Sequence, residues 1–236
     1  MLGCRLRASF DISGRKRATV CDDERTATIA NFLFPIPIMR TFDPVQLVGK
    51  AITLAPLRPL DTQDLSATVS DGELWTTPTT VIPRPEEMQR YIDRALAGHA
   101  RGECVPYIIR LNDTGQAVGS IRTCKINRRH RRLEIGHIWL GRSFQGRRLH
   151  TEANYLLLCH VFDVGDFLRA QYLADETNAA SRRAIRALGA IEEGVLRCER
   201  VMPGGRVRNT VVSSIIRDEW PTIRGRLRDR LYPDSR

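Results

Sequence analysis

The chain has 236 residues, of which 42% are hydrophobic and 27% are charged. These proportions are those of an ordinary globular protein and exclude an intrinsically disordered chain, which would be depleted in aliphatic residues. The formal net charge of +10 favours an anionic partner, namely RNA, a phosphorylated cofactor or an acidic substrate, but it is equally typical of an arginine-rich surface that only keeps the protein in solution.

The cysteines and the apolar segments point to a cellular compartment. The six cysteines lie far apart and include no Cys-x-x-Cys pair, which argues against a zinc site and against a dense disulfide framework. The apolar run from Ile29 to Met39 is broken by Pro35 and Pro37 and is too short to span a bilayer. We therefore expect a cytoplasmic protein with reduced thiols, no metal ion and no membrane partner.

The length favours one domain with additional segments over two equal domains. Residues 1–43 mix charges with turn-forming residues and lack periodicity, so we expect a poorly structured N-terminal extension. Met39 would be a natural beginning for the folded domain, and we hypothesise that the native chain starts there; N-terminal sequencing that returned residue 1 or 2 would contradict this. The folded domain is predicted over residues 44–220, followed by a basic C-terminal tail over 221–236.

Hydrophobic periodicity predicts strands and helices in alternation. Pro85 and two following glutamates predict a helix start, because proline and acidic residues favour the first turn. The predicted elements, in chain order, are a strand at 51–57, a short helix from 61 through 65, a second helix from 85 through 96, a hairpin at 107–111 and 117–121, a strand at 133–140, a helix at 151–162, a strand at 168–174, a helix at 181–188 closed by Gly189, and a hairpin at 195–201 and 207–216. This order predicts a mixed α/β sheet.

The turn from Arg128 to Arg132 concentrates four arginines and one histidine. Such a patch would suit nucleic acid or a ribosomal surface. It is also typical of a solvated hairpin tip, and the sequence leaves both interpretations open.

The segment from Leu140 to Ala153 is a polar loop that leaves a strand and enters a helix. Unpaired amide groups and the helix dipole at such a position favour a phosphate group. Gly146 would let the backbone approach that group closely, and Arg147 or Arg148 would add positive charge.

Several segments resemble the GNAT acetyltransferases. Gln145 and Gly146 match the pyrophosphate loop of that family, Gln/Arg-x-x-Gly-x-Gly/Ala after its fourth strand, whereas Arg148 and His150 stand where a glycine or small residue is usual. Residues 134–139 resemble the fourth strand itself, and residues 178–194 resemble the next conserved block. The ending, from Gly205 to Trp220, resembles the subgroup of ribosomal-protein alanine N-acetyltransferases (RimJ/RimL type).

The resemblance implies a GNAT-type mixed, mainly antiparallel central sheet with helices on both faces. It also implies direct transfer of acetyl from acetyl-coenzyme A to a primary amine, with the pantetheine arm along the fourth strand. The residues expected at the cofactor are Ile138, Trp139, Leu140, Gln145, Gly146, Arg147, Arg148, Leu149, His150, Thr151 and Asn178. For Asn178 an ordinary role as a helix cap remains open.

Three residues are candidates for catalysis. Glu134 would act as the base, directly or through water, unless it merely pairs with adjacent cations. His137 would relay the same proton, since its ordinary pKa is near neutrality, or is a packed strand residue. Ser181 would donate a proton to the departing thiolate, or serves only at the helix entry.

Two functions are therefore carried forward. In the first, the protein acetylates a protein N-terminal α-amine or a small-molecule amine. In the second, it keeps the GNAT fold without catalysis and binds RNA or the ribosome, as the net charge and the basic turn would allow.

Overall fold

A computed structural model of the protein describes residues 8–10, 16–18 and 42–233. The chain divides into two compact units, residues 1–37 and 38–236. In the first, the described residues form two antiparallel strands, β1 (Ala8–Phe10) and β2 (Lys16–Ala18). Apart from these strands and residues 42–43, the predicted N-terminal extension lies outside the described residues, as does the proposed start at Met39, and both stay predictions.

The second unit contains the strands and helices that the sequence predicts, with some shifted ends. Its elements are β3 (Leu47–Val48), β4 (Ile52–Pro56), α1 (Thr62–Ser70), α2 (Met88–Ala100), β5 (Val105–Leu111), β6 (Ala117–Asn127), β7 (Arg132–Leu140), α3 (Leu149–Cys159), β8 (Arg169–Asp175), α4 (Ala179–Leu188), β9 (Ile191–Val201), β10 (Val207–Ile216) and α5 (Trp220–Leu231). The helix predicted over 151–162 starts two residues earlier and gives way after Cys159 to a π-helical turn, His160–Val164.

Within the described residues, eight strands form the main sheet in the order β3-β4-β5-β6-β7-β8-β10-β9. All neighbouring pairs are antiparallel except β7 and β8, which run parallel. Strand β10 lies between β8 and β9, because the chain passes from β8 through α4 to the sheet edge before it returns. The sheet is therefore mixed and mainly antiparallel, as predicted.

Helices cover both faces of this sheet. One apolar cluster joins the sheet to α3, α4 and α5 and includes Leu157, Leu188 and Leu227; the other joins it to α1 and α2 and includes Leu65 and Ile92. Phe42, which the sequence assigns to the extension, is buried in the first cluster. In the described part of the chain, no helix is long and apolar enough to cross a membrane.

The segment that the sequence predicts as a basic tail is largely the packed helix α5. Its apolar residues Trp220, Ile223, Leu227 and Leu231 recur at helical spacing and are all buried. The intervening arginines are solvated, so composition indicates a basic segment while the spacing of the apolar residues places it on the core.

Candidate active site

The parallel strands β7 and β8 separate soon after they begin. They pair only through Arg132–Glu134 and Arg169–Gln171. Beyond these residues, Ile135 to Leu140 and Tyr172 to Asp175 line a cavity of about 470 Å³ between the strands. Where the ladder stops, backbone amide and carbonyl groups that would continue it face the cavity, and such groups need a partner. The divergence therefore forms a binding site of the size usual for small ligands.

The glycine loop closes one end of this cavity. After β7 the chain makes a short turn at Arg142–Phe144 and reaches Gly146, which has φ +73°. This left-handed conformation explains the glycine, because other residues adopt it at a cost. A Cβ atom on Gly146 would meet no atom within 4 Å, so the space above the backbone is open. Gln145, Gly146 and Arg147 all line the cavity.

The start of α3 faces the same end. His150 and Thr151, in its first turn, line the cavity, so the positive end of the helix dipole is directed at any ligand there. Burial lowers the pKa of His150 to about 4, and its imidazole is neutral at physiological pH. Positive charge at this end therefore comes from arginine and from the backbone, and not from His150.

Two of the predicted cofactor residues do not line the cavity. Arg148 turns its side chain away, and its Nη1 donates a hydrogen bond to the carbonyl oxygen of Arg230 at 3.1 Å. Leu149 packs in the core. The other nine, Ile138, Trp139, Leu140, Gln145, Gly146, Arg147, His150, Thr151 and Asn178, all contribute to the cavity wall.

Asn178 and Ser181 lie on the cavity wall at the start of α4. Asn178 Oδ1 accepts the backbone N–H of Ser181 at 3.0 Å, so Asn178 is the N-cap of α4. Its Nδ2 donates to Thr79 Oγ1 at 2.8 Å. The helix-capping role that the sequence left open for Asn178 is therefore present. The Asn178 side-chain amide also contacts Thr79, on another part of the cavity wall.

Residues 79–81 form part of the cavity wall and are not among the residues that the sequence predicts at the cofactor. Arg206, from the β9–β10 turn, holds this segment by donating to the carbonyl oxygen of Pro78, and it also pairs with the buried carboxylate of Asp175. The segment has no distinctive motif, so only its long-range contacts place it at the site.

His137 lies on the cavity wall where β7 is irregular. The β6–β7 register shifts between Ser120 and Arg122, and His137 has φ +48°, which is uncommon for a residue other than glycine. His137 is an exposed residue, yet desolvation by the surrounding protein, followed by the charges of Arg122 and Arg200, lowers its pKa below the ordinary value. The pKa is lowered to about 3, so His137 is neutral near pH 7.

Glu134 is buried on β7 before the strands diverge and does not line the cavity. Its Oε2 lies 2.9 Å from Nζ of Lys125 on the neighbouring strand. Its Oε1 lies 3.3 Å from the position that a Cβ would take on Gly136, a residue of the cavity wall. The carboxylate thus has an ion-pair partner, and the missing side chain of Gly136 leaves it close to the cavity.

Comparisons with known proteins agree with this architecture. The profile of the Acetyltransferase (GNAT) domain family matches residues 51–191. A solved acetyltransferase candidate of T. thermophilus is 32% identical, with a TM-score of 0.71 over 80% of this chain and 98% of that chain. RimL, a ribosomal α-N-protein acetyltransferase solved with coenzyme A, shares the fold at 20% identity, with a TM-score of 0.65 over 74% of this chain and 99% of that chain.

A curated relative gives a shorter match. YdaF of Bacillus subtilis (strain 168), described as a candidate ribosomal N-acetyltransferase, is 27% identical over 106 residues, which are 45% of this chain and 57% of YdaF. The family profile alone spans more than half of the 236 residues, from β4 to the start of β9. This protein therefore belongs to the GNAT acetyltransferase family.

Proposed function

We propose that the protein transfers the acetyl group of acetyl-coenzyme A to a primary amine. The observation that carries this proposal is the cavity between the diverging strands β7 and β8, which ends on the Gly146 loop at the N-terminus of α3. Amide groups along the strands suit the amides of the pantetheine arm, and the glycine loop with the helix N-terminus suits the pyrophosphate. The thioester would then lie between His137 and Ser181.

The reaction needs a neutral amine, a base and an acid. The amine nitrogen attacks the acetyl carbon and loses a proton to the base, the carbon–sulfur bond breaks, and the departing thiolate takes a proton from the acid. An α-amino group titrates near about 8 and a lysine near about 10.4, so a base assists either acceptor and is needed more for lysine.

We propose His137 as the base, because it lines the cavity and its imidazole is neutral near pH 7. Glu134, behind Gly136, would act through water. The Ser181 hydroxyl lies on the cavity wall and is free of the capping bond, which uses the Ser181 backbone. It is therefore our candidate acid for the thiolate.

For the acceptor, we propose a protein N-terminal α-amine before a small-molecule amine. The support is the resemblance to the RimJ/RimL subgroup, together with what the descriptions of YdaF and RimL say of those proteins. An acceptor would enter beside residues 79–81, opposite the loop that closes the cofactor end.

The direct test is a screen of peptides and small amines with detection of the thiol released from acetyl-coenzyme A. We expect binding of acetyl-coenzyme A in titration calorimetry and thiol release with at least one peptide. A wild-type protein that binds no acetyl-coenzyme A would contradict the proposal. If that protein also bound RNA with a steep salt dependence, the RNA-binding function would be favoured instead.

The alternative RNA-binding function depends on the net charge and the turn at 128–132. Arg131 of this turn is engaged within the fold, since its guanidinium pairs with Asp166 and its Nε donates to the Asp166 carbonyl oxygen at 2.8 Å. Part of the basic patch is therefore committed to holding the turn, which favours the enzymatic proposal.

A further inference from the structure

Helix α5 is held at both ends by hydrogen bonds to α3 and to the π-helical turn that follows α3. At its first turn, Trp220 Nε1 donates to Asp163 Oδ1 at 2.8 Å. Just after its last turn, the Tyr232 hydroxyl donates to Glu152 Oε1 of α3 at 3.0 Å. Between these anchors the apolar residues of α5 are buried. The exposed side chains on α5 are therefore held at defined positions relative to α3 and α4.

One of these side chains, Arg230, reaches the cavity. It lines the wall together with Ala187, near the C-terminal end of α4, and its Nη1 lies 3.4 Å from the Ala187 carbonyl oxygen. Its own carbonyl oxygen accepts the hydrogen bond from Arg148. Arg148 stands where the family usually has a glycine or small residue. Its side chain contacts the last turn of α5 and does not line the cavity.

Arg230 lies at the end of the cavity wall away from Ser181. Ser181 and Ala187 both line the cavity and are separated by about 9 Å along the axis of α4. In the proposed function the thioester lies by Ser181, so Arg230, beside Ala187 and in contact with Arg148 of the glycine loop, lies towards the phosphate end of the cofactor.

The charge at this far end favours an anion. Among the described residues that line the cavity, the one carboxylate is Asp175, and it pairs with Arg206. No ion-pair partner of Arg230 occurs among residues 42–233. A guanidinium with free donors suits the planar, bidentate recognition of phosphate.

We propose that Arg230 of α5 binds the 3′-phosphate of coenzyme A, and that Arg148 is a positioning residue that holds Arg230 in place. This inference rests on the proposed function and extends it, because it makes the C-terminal helix part of the cofactor site. It also gives the departure of Arg148 from the family pattern a physical role.

The test compares coenzyme A with 3′-dephospho-coenzyme A in titration calorimetry on the full chain. In Arg230→Gln we expect about tenfold weaker binding of coenzyme A, the loss of one charge-assisted contact, and unchanged binding of 3′-dephospho-coenzyme A. Arg228→Gln is the matched control, because Arg228 lies on the same helix, is exposed, and contacts Asp229. It should bind both ligands as the wild type does.

Three results would overturn the inference. Unchanged binding of coenzyme A by Arg230→Gln would exclude the contact, and an equal loss for both ligands would place it elsewhere on the cofactor. Wild-type protein that binds neither ligand would overturn the proposed function as well. Arg230→Lys, which keeps the charge but not the fork, should lose less affinity than Arg230→Gln, and thermal unfolding verifies that each variant is folded.

Discussion

At the scale of single residues, Gly146 combines a conformational and a spatial requirement. Its φ is +73°, and a Cβ there would occupy open space, with no atom within 4 Å. Gly115 is a natural control, since it has φ +69°, also meets nothing within 4 Å, and lies in the β5–β6 turn outside the cavity. Comparing Gly146→Ala with Gly115→Ala therefore separates the strain of a left-handed backbone from the loss of space for a ligand.

We expect Gly146→Ala to weaken acetyl-coenzyme A binding by at least about tenfold, because the methyl group displaces a phosphate from the loop amides. Gly146→Ala and Gly115→Ala should each cost about 1 kcal/mol of stability, because alanine disfavours left-handed backbone. Calorimetric titration and chemical denaturation measure the two effects. Equal affinity in both variants would show that the loop does not contact the cofactor.

His137 and Glu134 differ in their access to the cavity. If His137 is the base, His137→Gln should lower kcat by about a hundredfold or more while acetyl-coenzyme A affinity stays the same. Glu134→Gln should have a smaller effect, because the carboxylate lies behind Gly136 and pairs with Lys125. Steady-state kinetics with a peptide acceptor tests this. A larger loss in Glu134→Gln would reverse the assignment.

At the scale of secondary-structure elements, α5 is a structural part of the domain. Leu227 lies at its centre and is 1% exposed. We expect Leu227→Ala to lower the free energy of unfolding by about 2 to 4 kcal/mol, since it leaves a cavity in the core. Chemical denaturation measures the free energy of unfolding of this variant and of the control Arg228→Ala, which changes an exposed position on the same helix. Similar stability of both variants would mean that α5 is not packed.

Strand β9, at the sheet edge, is held by Glu193. Its carboxylate accepts hydrogen bonds from Arg169 of β8 and Ser214 of β10. The pKa of Glu193 is lowered to about 2, and the hydrogen bond from Arg169 is the largest cause. Because the folded pKa lies below the unfolded value of about 4.3, the stabilisation is present above that value and is lost as the pH falls towards about 2.

We therefore expect Glu193→Gln to destabilise the protein near neutral pH by less than about 1 kcal/mol, since the pair is partly exposed and screened. The difference from the wild type should shrink as the pH falls below about 4. Denaturant titrations across this range give the comparison. A difference that grows on acidification would have the wrong sign for a carboxylate with a lowered pKa.

At the scale of the whole molecule, the cavity joins elements from most of the chain. It is lined by residues of the 79–81 segment, β7, the Gly146 loop, α3, β8, α4, β10 and α5. A ligand that binds there stabilises the folded state by mass action. Saturation with acetyl-coenzyme A at about 100 times its Kd should add about 2.7 kcal/mol and raise Tm by about 5 to 10 °C. Differential scanning fluorimetry measures the shift, and no shift at saturation would contradict cofactor binding.

The sequence by itself determined the local elements and the class of the fold. Periodicity located the elements from β4 to β10, with some ends shifted by up to six residues, because the side-chain pattern follows the element that must bury it. Glycine at position 146 and Asn178 before α4 are short-range signals, since a left-handed residue and an N-cap act within their own turn. The family resemblance followed from these same local segments.

Only the tertiary structure decided how the cavity is completed. Thr79 meets Asn178 across 99 residues, and Arg148 meets Arg230 across 82. No periodicity or motif encodes such pairs, because they depend on sheet order, on the separation of β7 from β8, and on the packing of α5. Composition identified residues 221–236 as basic, whereas burial of one apolar stripe makes Trp220–Leu231 a helix that brings Arg230 to the site. Long-range packing, and not local propensity, sets these positions.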